Sequence, residues 1–191
     1  MIQDVSIVIL AGGKSSRMGE DKGLLNMHGR SFIDQLMHTL KSVSSQIWIS
    51  VAKHNRVNYK KYASQLVIDE YVDLGPLGGI TSVLDHIQTD WFYVISVDAP
   101  LVTEEVLKML WNTKEGYEAV VFETEGKIHP LIALYHKSTK QTWRLALNEN
   151  RLKITELVYQ MKYKTVVANA EQTKQLRNIN TPKDYKEVLR S

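Results

Sequence analysis

Short apolar runs alternate along the whole chain with stretches in which apolar residues recur every three or four positions. Val5-Ser6-Ile7-Val8-Ile9 has the length and β-branched character of a buried strand, and Gln46 to Val51, Gln65 to Ile68 and Trp91 to Val97 read the same way. Between them, Phe32, Ile33, Leu36, Met37, Leu40 and Val43 keep a helical period, as do Leu77, Ile80, Val83, Leu84 and Ile87. A helix is predicted to enter at Thr103, with Glu104 and Glu105 at its positive end. Glu118 to Glu123 and Ile128 to Tyr135 predict two strands joined by a turn around Gly126. Helices over Thr139 to Asn148 and Ile154 to Met161 and a strand over Lys164 to Ala168 follow. Thr181-Pro182-Lys183-Asp184 combines a capping box with proline in the first turn and opens a last helix.

This alternation predicts an α/β fold, a mostly parallel sheet flanked by helices with room for one antiparallel strand. No repeat, low-complexity tract or linker divides the 191 residues, so a single domain over residues 1–191 is expected. Hydrophobic and charged fractions of 43% and 24% are those of an ordinary globular chain. A net charge of +3 is too mild for a general polyanion binder, and no nucleic-acid partner is expected. The absence of cysteine excludes disulfides, thiolate metal sites and cysteine nucleophiles. With no signal-like or membrane-spanning run, the expectation is a soluble cytoplasmic protein without a membrane partner.

Candidate chemistry concentrates where the first strand ends. Leu10 to Lys22 reads L-A-G-G-K-S-S-R-M-G-E-D-K. Gly12, Gly13 and Gly19 permit close backbone approach, while Lys14, Arg17 and Lys22 place three cations within nine residues. Clustered like charges repel unless an anion sits among them, so the loop suits a polyphosphate. It is neither common phosphate loop. A Walker loop needs Lys-Ser/Thr after its last glycine, where Glu20 and Asp21 stand here, and the glycine spacing differs from G-x-G-x-x-G.

In an open α/β sheet, ligands bind beyond the carboxyl ends of the strands. Asp69 and Asp98 stand at two such ends. Either alone is an ordinary turn former or helix cap; together, on the edge that carries the cationic loop, they suggest nucleotide and metal recognition. Magnesium needs only one or two carboxylates when phosphate and water complete its shell. Gly75-Pro76-Leu77-Gly78-Gly79-Ile80 is a second glycine-rich turn opening a helix, suited either to a ligand or to close packing. His129 beside Pro130 reads as structural, and Trp143 as core.

These motifs resemble those of nucleotidyltransferases with a Rossmann-like, glycosyltransferase-A-like fold, and within them the molybdenum cofactor guanylyltransferases. The resemblance rests on Leu10 to Lys22, Gly75 to Ile80, Asp98-Ala99-Pro100-Leu101, His129-Pro130-Leu131 and Asn178-Ile179-Asn180-Thr181-Pro182. It implies transfer of GMP from GTP to the terminal phosphate of molybdopterin, with Mg2+ as cofactor and molybdenum cofactor assembly proteins as transient partners. It further implies a nucleotide site of Leu10, Ala11, Gly12, Gly13, Lys22, Asp69 and Asp98, catalytic roles for Arg17, Lys22 and Asp98, and metal ligation by Asp98 and Asn180. Some members carry an asparagine after the second strand, where Ser50 to Ala52 stand here. Lys127, His129, Arg151 and Lys153 are candidate neighbours of the pterin's anionic groups. A cytidylyltransferase of the same cofactor typically has L-A-A-G in place of Leu10-Ala11-Gly12-Gly13, and sugar-1-phosphate nucleotidyltransferases are generally longer. A non-catalytic nucleotide-binding adaptor is the alternative from another class; a degenerate site need not keep Arg17, Lys22, Asp98 and Asn180 together.

Overall fold

A computed structural model describes residues 2, 4–12, 21–71 and 73–190. Its centre is a seven-stranded sheet in the order β5-β4-β1-β6-β8-β7-β9. The strands are β1 (Val5–Leu10), β4 (Gln46–Val51), β5 (Leu66–Ile68), β6 (Trp91–Ser96), β7 (Ala119–Thr124), β8 (Lys127–His136) and β9 (Tyr163–Val167). A small hairpin of β2 (Asn26–Met27) and β3 (Arg30–Ser31) stands apart from it. Only β8 runs against its neighbours, antiparallel to β6 and β7; the other pairs are parallel. The expected single antiparallel strand is thus the H-P strand itself.

β1 lies between β4 and β6 and is buried at all six positions. Successive strand side chains point to opposite faces. Accordingly Ile7 and Ile9 join one core cluster with Leu36, Leu40 and Leu107, and Val8 and Leu10 join the other with Ile80, Val94 and Trp143. Helices α1 (Phe32–Val43) and α3 (Glu104–Thr113) supply the first cluster; α2 (Gly75–Val83), α4 (Lys140–Asn148) and α5 (Ile154–Tyr159) supply the second. The buried face of α1 is Phe32, Ile33, Leu36, Met37, Leu40 and Val43, as its periodicity requires, and Ser31 caps it by accepting from Asp34 N. Trp143 is fully buried edge-on to Tyr135, its indole N–H donating to Thr139 Oγ1 at 3.0 Å.

A third cluster holds Leu25, Met27, Phe32, Ile179 and Val188. It pins the β2–β3 hairpin and α7 (Pro182–Val188) near the strand ends that carry the candidate site. Thr181 and Asp184 form the expected capping box at the start of α7. Two helical segments lack an apolar period in the sequence: α6 (Ala170–Gln175), with no buried residue, and the 3-10 segment Lys53–Gln65, with Tyr59 alone buried. No helix among the described residues is long and apolar enough to cross a membrane.

Candidate active site

The carboxyl ends of β1, β4 and β6 are tied into one edge by backbone hydrogen bonds. Ala11 N donates to Ser50 O at 2.9 Å, and Val97 N donates to Leu10 O at 3.0 Å. Leu10, Ala11 and Gly12 therefore lie between the end of β4 and the turn that carries Asp98. Gly13, Lys14, Arg17 and Gly19 lie outside the described residues.

The far end of the loop returns to the same edge. Asp21 caps a 3-10 turn, Lys22–Leu24, by accepting from Gly23 N at 3.0 Å. This turn aims Lys22 at the strand ends. Its Nζ donates to Asp98 Oδ2 at 3.0 Å and to Asn180 Oδ1 at 2.6 Å. The side chains of Lys22 and Asp98 are only 18% and 13% exposed, so this ion pair is partly desolvated. Asn180 is delivered by the segment before α7: Ile179 N donates to Asp98 O at 2.7 Å, while the Ile179 side chain is buried in the third cluster. Residues 22, 98 and 180, far apart in the chain, thus meet at one point.

Two buried side-chain oxygens on the segments that carry Asp98 and Asn180 lack partners. Asp98 Oδ1 is buried with no hydrogen bond, and so is the side-chain oxygen of Asn178. Buried carboxylate oxygens ordinarily find donors or cations. One carboxylate and one amide oxygen already gathered around an ammonium, with a spare carboxylate oxygen beside them, are hard oxygen donors of the kind magnesium takes. The residues fit that ion. Among the described residues no group of three or more His, Cys, Asp or Glu could hold a metal, and magnesium bound by one or two carboxylates takes its remaining ligands from phosphate and water.

Asp69 belongs to a neighbouring group. Its backbone N donates to Val51 O at 2.8 Å, and its Oδ1 accepts from Tyr71 N at 2.9 Å and Ser82 Oγ at 3.2 Å. Burial raises its pKa, opposed by those two hydrogen bonds. It stands beside the first turn of α2, where Gly78 leaves no room for a side chain: a Cβ there would lie 2.8 Å from Tyr71 O and 3.2 Å from Asp69 Oδ1. The Ser50 hydroxyl, buried and without a partner, lies against Gly79 and near Leu10. The glycine-rich turn, Asp69 and Ser50 therefore lie together at the carboxyl ends of β4 and β5, on the sheet edge that also carries Asp98 beyond β6.

The suggested pterin neighbours do not share one environment. His129 is half-buried on β8, its Nε2 2.6 Å from Thr124 Oγ1, and burial lowers its pKa. Pro130, Leu131 and Ile132 bulge away from β7 just after it, the pairing jumping from Val121↔Ala133 to Phe122↔His129. Tyr135 closes the bulge by donating to Pro130 O at 2.7 Å, which supports the structural reading of the H-P motif. Arg151 and Lys153 are each paired with an acid of their own segment, Glu149 and Glu156.

A family model described as the MobA-like NTP transferase domain matches residues 7–175, from within β1 to the end of α6. The chain belongs to the MobA-like NTP transferase family. That makes it a nucleotidyltransferase of this type and bears out the resemblance carried by the five motifs. A probable molybdenum cofactor guanylyltransferase of Clostridium perfringens (strain 13 / Type A) is 33% identical over 193 aligned positions, covering 97% of this chain and 96% of the relative. A relative of the same name from Carboxydothermus hydrogenoformans is 31% identical and covers 99% and 97%. The molybdopterin-guanine dinucleotide biosynthesis protein A of Archaeoglobus fulgidus superposes with a TM-score of 0.83 over 97% of both chains at 22% identity, and so shares the fold.

Proposed function

We propose that this MobA-like nucleotidyltransferase transfers GMP from GTP to the terminal phosphate of molybdopterin, releasing pyrophosphate, with magnesium as its cofactor. The observation that carries the reading is the convergence of Lys22, Asp98 and Asn180 at the strand ends, with a buried Asp98 oxygen left without a partner. The names of the full-length relatives support guanine and molybdopterin as the substrate pair.

A phosphate monoester loses its second proton near pH 6, so the attacking oxygen is already anionic at neutral pH. It forms a bond to the α-phosphorus of GTP while the bond from that phosphorus to the bridging oxygen of the β-phosphate breaks. The electron pair leaves with pyrophosphate. No general base is needed, and the barrier is one of bringing anions together and absorbing charge on the leaving group.

Leu10, Ala11, Gly12 and Gly13 would present backbone donors to the phosphates, and Arg17, Lys22 and Lys14 would neutralise them. Asp69 and the glycine-rich turn would hold the nucleoside end. Asp98 and Asn180 would ligate magnesium, which when bound supplies Lewis-acid charge at the α-phosphate and the leaving group.

The test is pyrophosphate release with purified molybdopterin, GTP or CTP, and magnesium. Wild type should require both magnesium and GTP, and Asp98→Asn should lower turnover by roughly two orders of magnitude or more with an unchanged fold by circular dichroism. Near wild-type turnover of Asp98→Asn at saturating magnesium would remove the metal assignment. A preference for CTP would convert the reading to a cytidylyltransferase. Absence of pyrophosphate with both nucleotides would leave a binding adaptor.

A further inference from the structure

The Lys22 ammonium holds one oxygen of each residue that the proposed reading gives to a divalent cation, Asp98 Oδ2 and Asn180 Oδ1. Both acceptors hold it at ordinary hydrogen-bond lengths in a half-enclosed setting. An ammonium and a divalent cation cannot share these oxygens, because each needs the same lone pairs and their like charges repel across a few ångströms. The third donor atom, Asp98 Oδ1, is buried and unpaired beside them, too little by itself to retain a strongly hydrated ion.

We infer that Lys22 is a built-in counter-cation that keeps the divalent-cation site closed until a triphosphate draws it away, so that nucleotide binding opens the site to metal. The inference rests on the metal reading of Asp98 proposed above. It explains how one residue can belong both to the phosphate loop and to the acidic point 76 residues further along. With the lysine in place, the Asp98 carboxylate is compensated and Asn180 is oriented before any ligand arrives.

The backbone around Lys22 favours a movement confined to its side chain. Asp21 Oδ1 accepts from Gly23 N at 3.0 Å and from the Tyr59 hydroxyl at 2.7 Å, and Leu25 N donates to Lys22 O at 3.2 Å. The turn is therefore clamped on both sides, while the four-carbon stem of Lys22 retains its rotamers. A triphosphate offers the ammonium several anionic oxygens in exchange for one carboxylate oxygen and one amide oxygen. The exchange frees those two acceptors in the same event that brings further oxygen ligands from the phosphates. Selection of metal with nucleotide, in preference to metal alone, follows from that geometry.

The test is Mn2+ binding to the full-length protein without nucleotide, read by electron paramagnetic resonance. Mn2+ shares the carboxylate, carbonyl and water ligands of magnesium. Lys22→Met should bind Mn2+ roughly tenfold or more tighter than wild type, and the gain should vanish in Lys22→Met/Asp98→Asn. Lys22→Arg, which keeps the charge, should stay near wild type. Lys22→Gln carries the same expectation as the Met variant and serves where that variant fails to fold.

Mn2+ binding to nucleotide-free Met and Gln variants no tighter than to wild type overturns the inference. If the β,γ-methylene analogue of GTP still recruits Mn2+ to wild type but not to Asp98→Asn, the metal reading survives that failure. If Asp98→Asn matches wild type with and without the analogue, the metal reading itself fails and this inference with it. Should neither variant fold, the wild type decides: equal Mn2+ affinity with and without the analogue overturns the closed site.

Discussion

The Tyr59 hydroxyl donates to Asp21 Oδ1 at 2.7 Å, tying the 53–65 segment to the residue that precedes Lys22. Tyr59 is fully buried, and burial together with the adjacent carboxylate pushes its phenol far above the ordinary tyrosine value, so it is a fixed donor. The other oxygen of Asp21 is buried without a partner. Tyr59→Phe should therefore cost about 1.5–3 kcal/mol, the usual range for a hydrogen bond to a charged group. Urea unfolding measures it, and the apparent affinity for GTP should fall with the looser turn. A Cβ on Gly23 would lie 2.2 Å from the Tyr59 oxygen and 3.1 Å from its Cζ. Gly23→Ala should destabilise by about 1–3 kcal/mol through overpacking, and the double variant should lose less than the sum, because removing the hydroxyl removes the closest clash. Strict additivity would mean that the two residues do not act on each other.

Much of this architecture was legible because burial imposes a period. The face of α1 and the span of β4 follow directly from apolar spacing, since every buried position on α1 is apolar and on β4 every one but Ser50 is. The 53–65 segment carries no such signal. It is held by polar contacts across the chain, Tyr59 to Asp21 and Tyr62 to Asp34, which local patterning does not encode. The site shows the same division. Asp98 was visible as an acid at the end of an apolar run, whereas Asn180 entered only through the family resemblance. The closing of Lys22 onto both depends on the third cluster placing Ile179 beside Asp98, a tertiary fact. The ammonium of Lys22, the residue expected to bind phosphates, donates here to Asp98 and Asn180.

Stability should fall in two separate pH windows. Burial lowers the His129 pKa below its ordinary 6.5, so the unfolded chain binds that proton more readily than the folded one. The sign is then fixed: stability is full above pH 6.5 and declines as pH drops through and below it. Burial would raise Asp34, but hydrogen bonds from Lys61, Tyr62 and Ser31 outweigh it and bring the group to about 2. Asp184 lies at about 2 as well, through the Thr181 hydroxyl first and then, against the effect of burial, Arg177 and two backbone donors. Their contribution is present above the ordinary carboxylate value of 3.8 and disappears as pH falls from there toward 2. Urea midpoints measured from pH 8 to about pH 2 should show both declines, and His129→Asn should remove the upper one alone. An upper decline that persists in His129→Asn would assign it to another group.

The first turn of α2 offers the sharpest separation of binding from turnover. A Cβ on Gly78 would meet Tyr71 O at 2.8 Å and Tyr71 Cβ at 3.1 Å, atoms of the turn that also holds Asp69. A backbone carbonyl cannot rotate away as a side chain can, so Gly78→Ala must shift the turn and carry the Asp69 carboxylate with it. The cost should be about 1–3 kcal/mol of stability. A Cβ on Gly79 meets the Ser50 hydroxyl at 3.0 Å and Leu10 Cδ2 at 3.2 Å, both side-chain atoms with some freedom to give, so Gly79→Ala should cost less. If Asp69 serves the nucleoside end of GTP, Gly78→Ala raises KM for GTP while kcat at saturation stays close to wild type, because the Lys22–Asp98–Asn180 point is left in place. A fall in kcat at unchanged KM would instead make the α2 turn part of the reacting centre and take Asp69 out of the nucleotide-binding role.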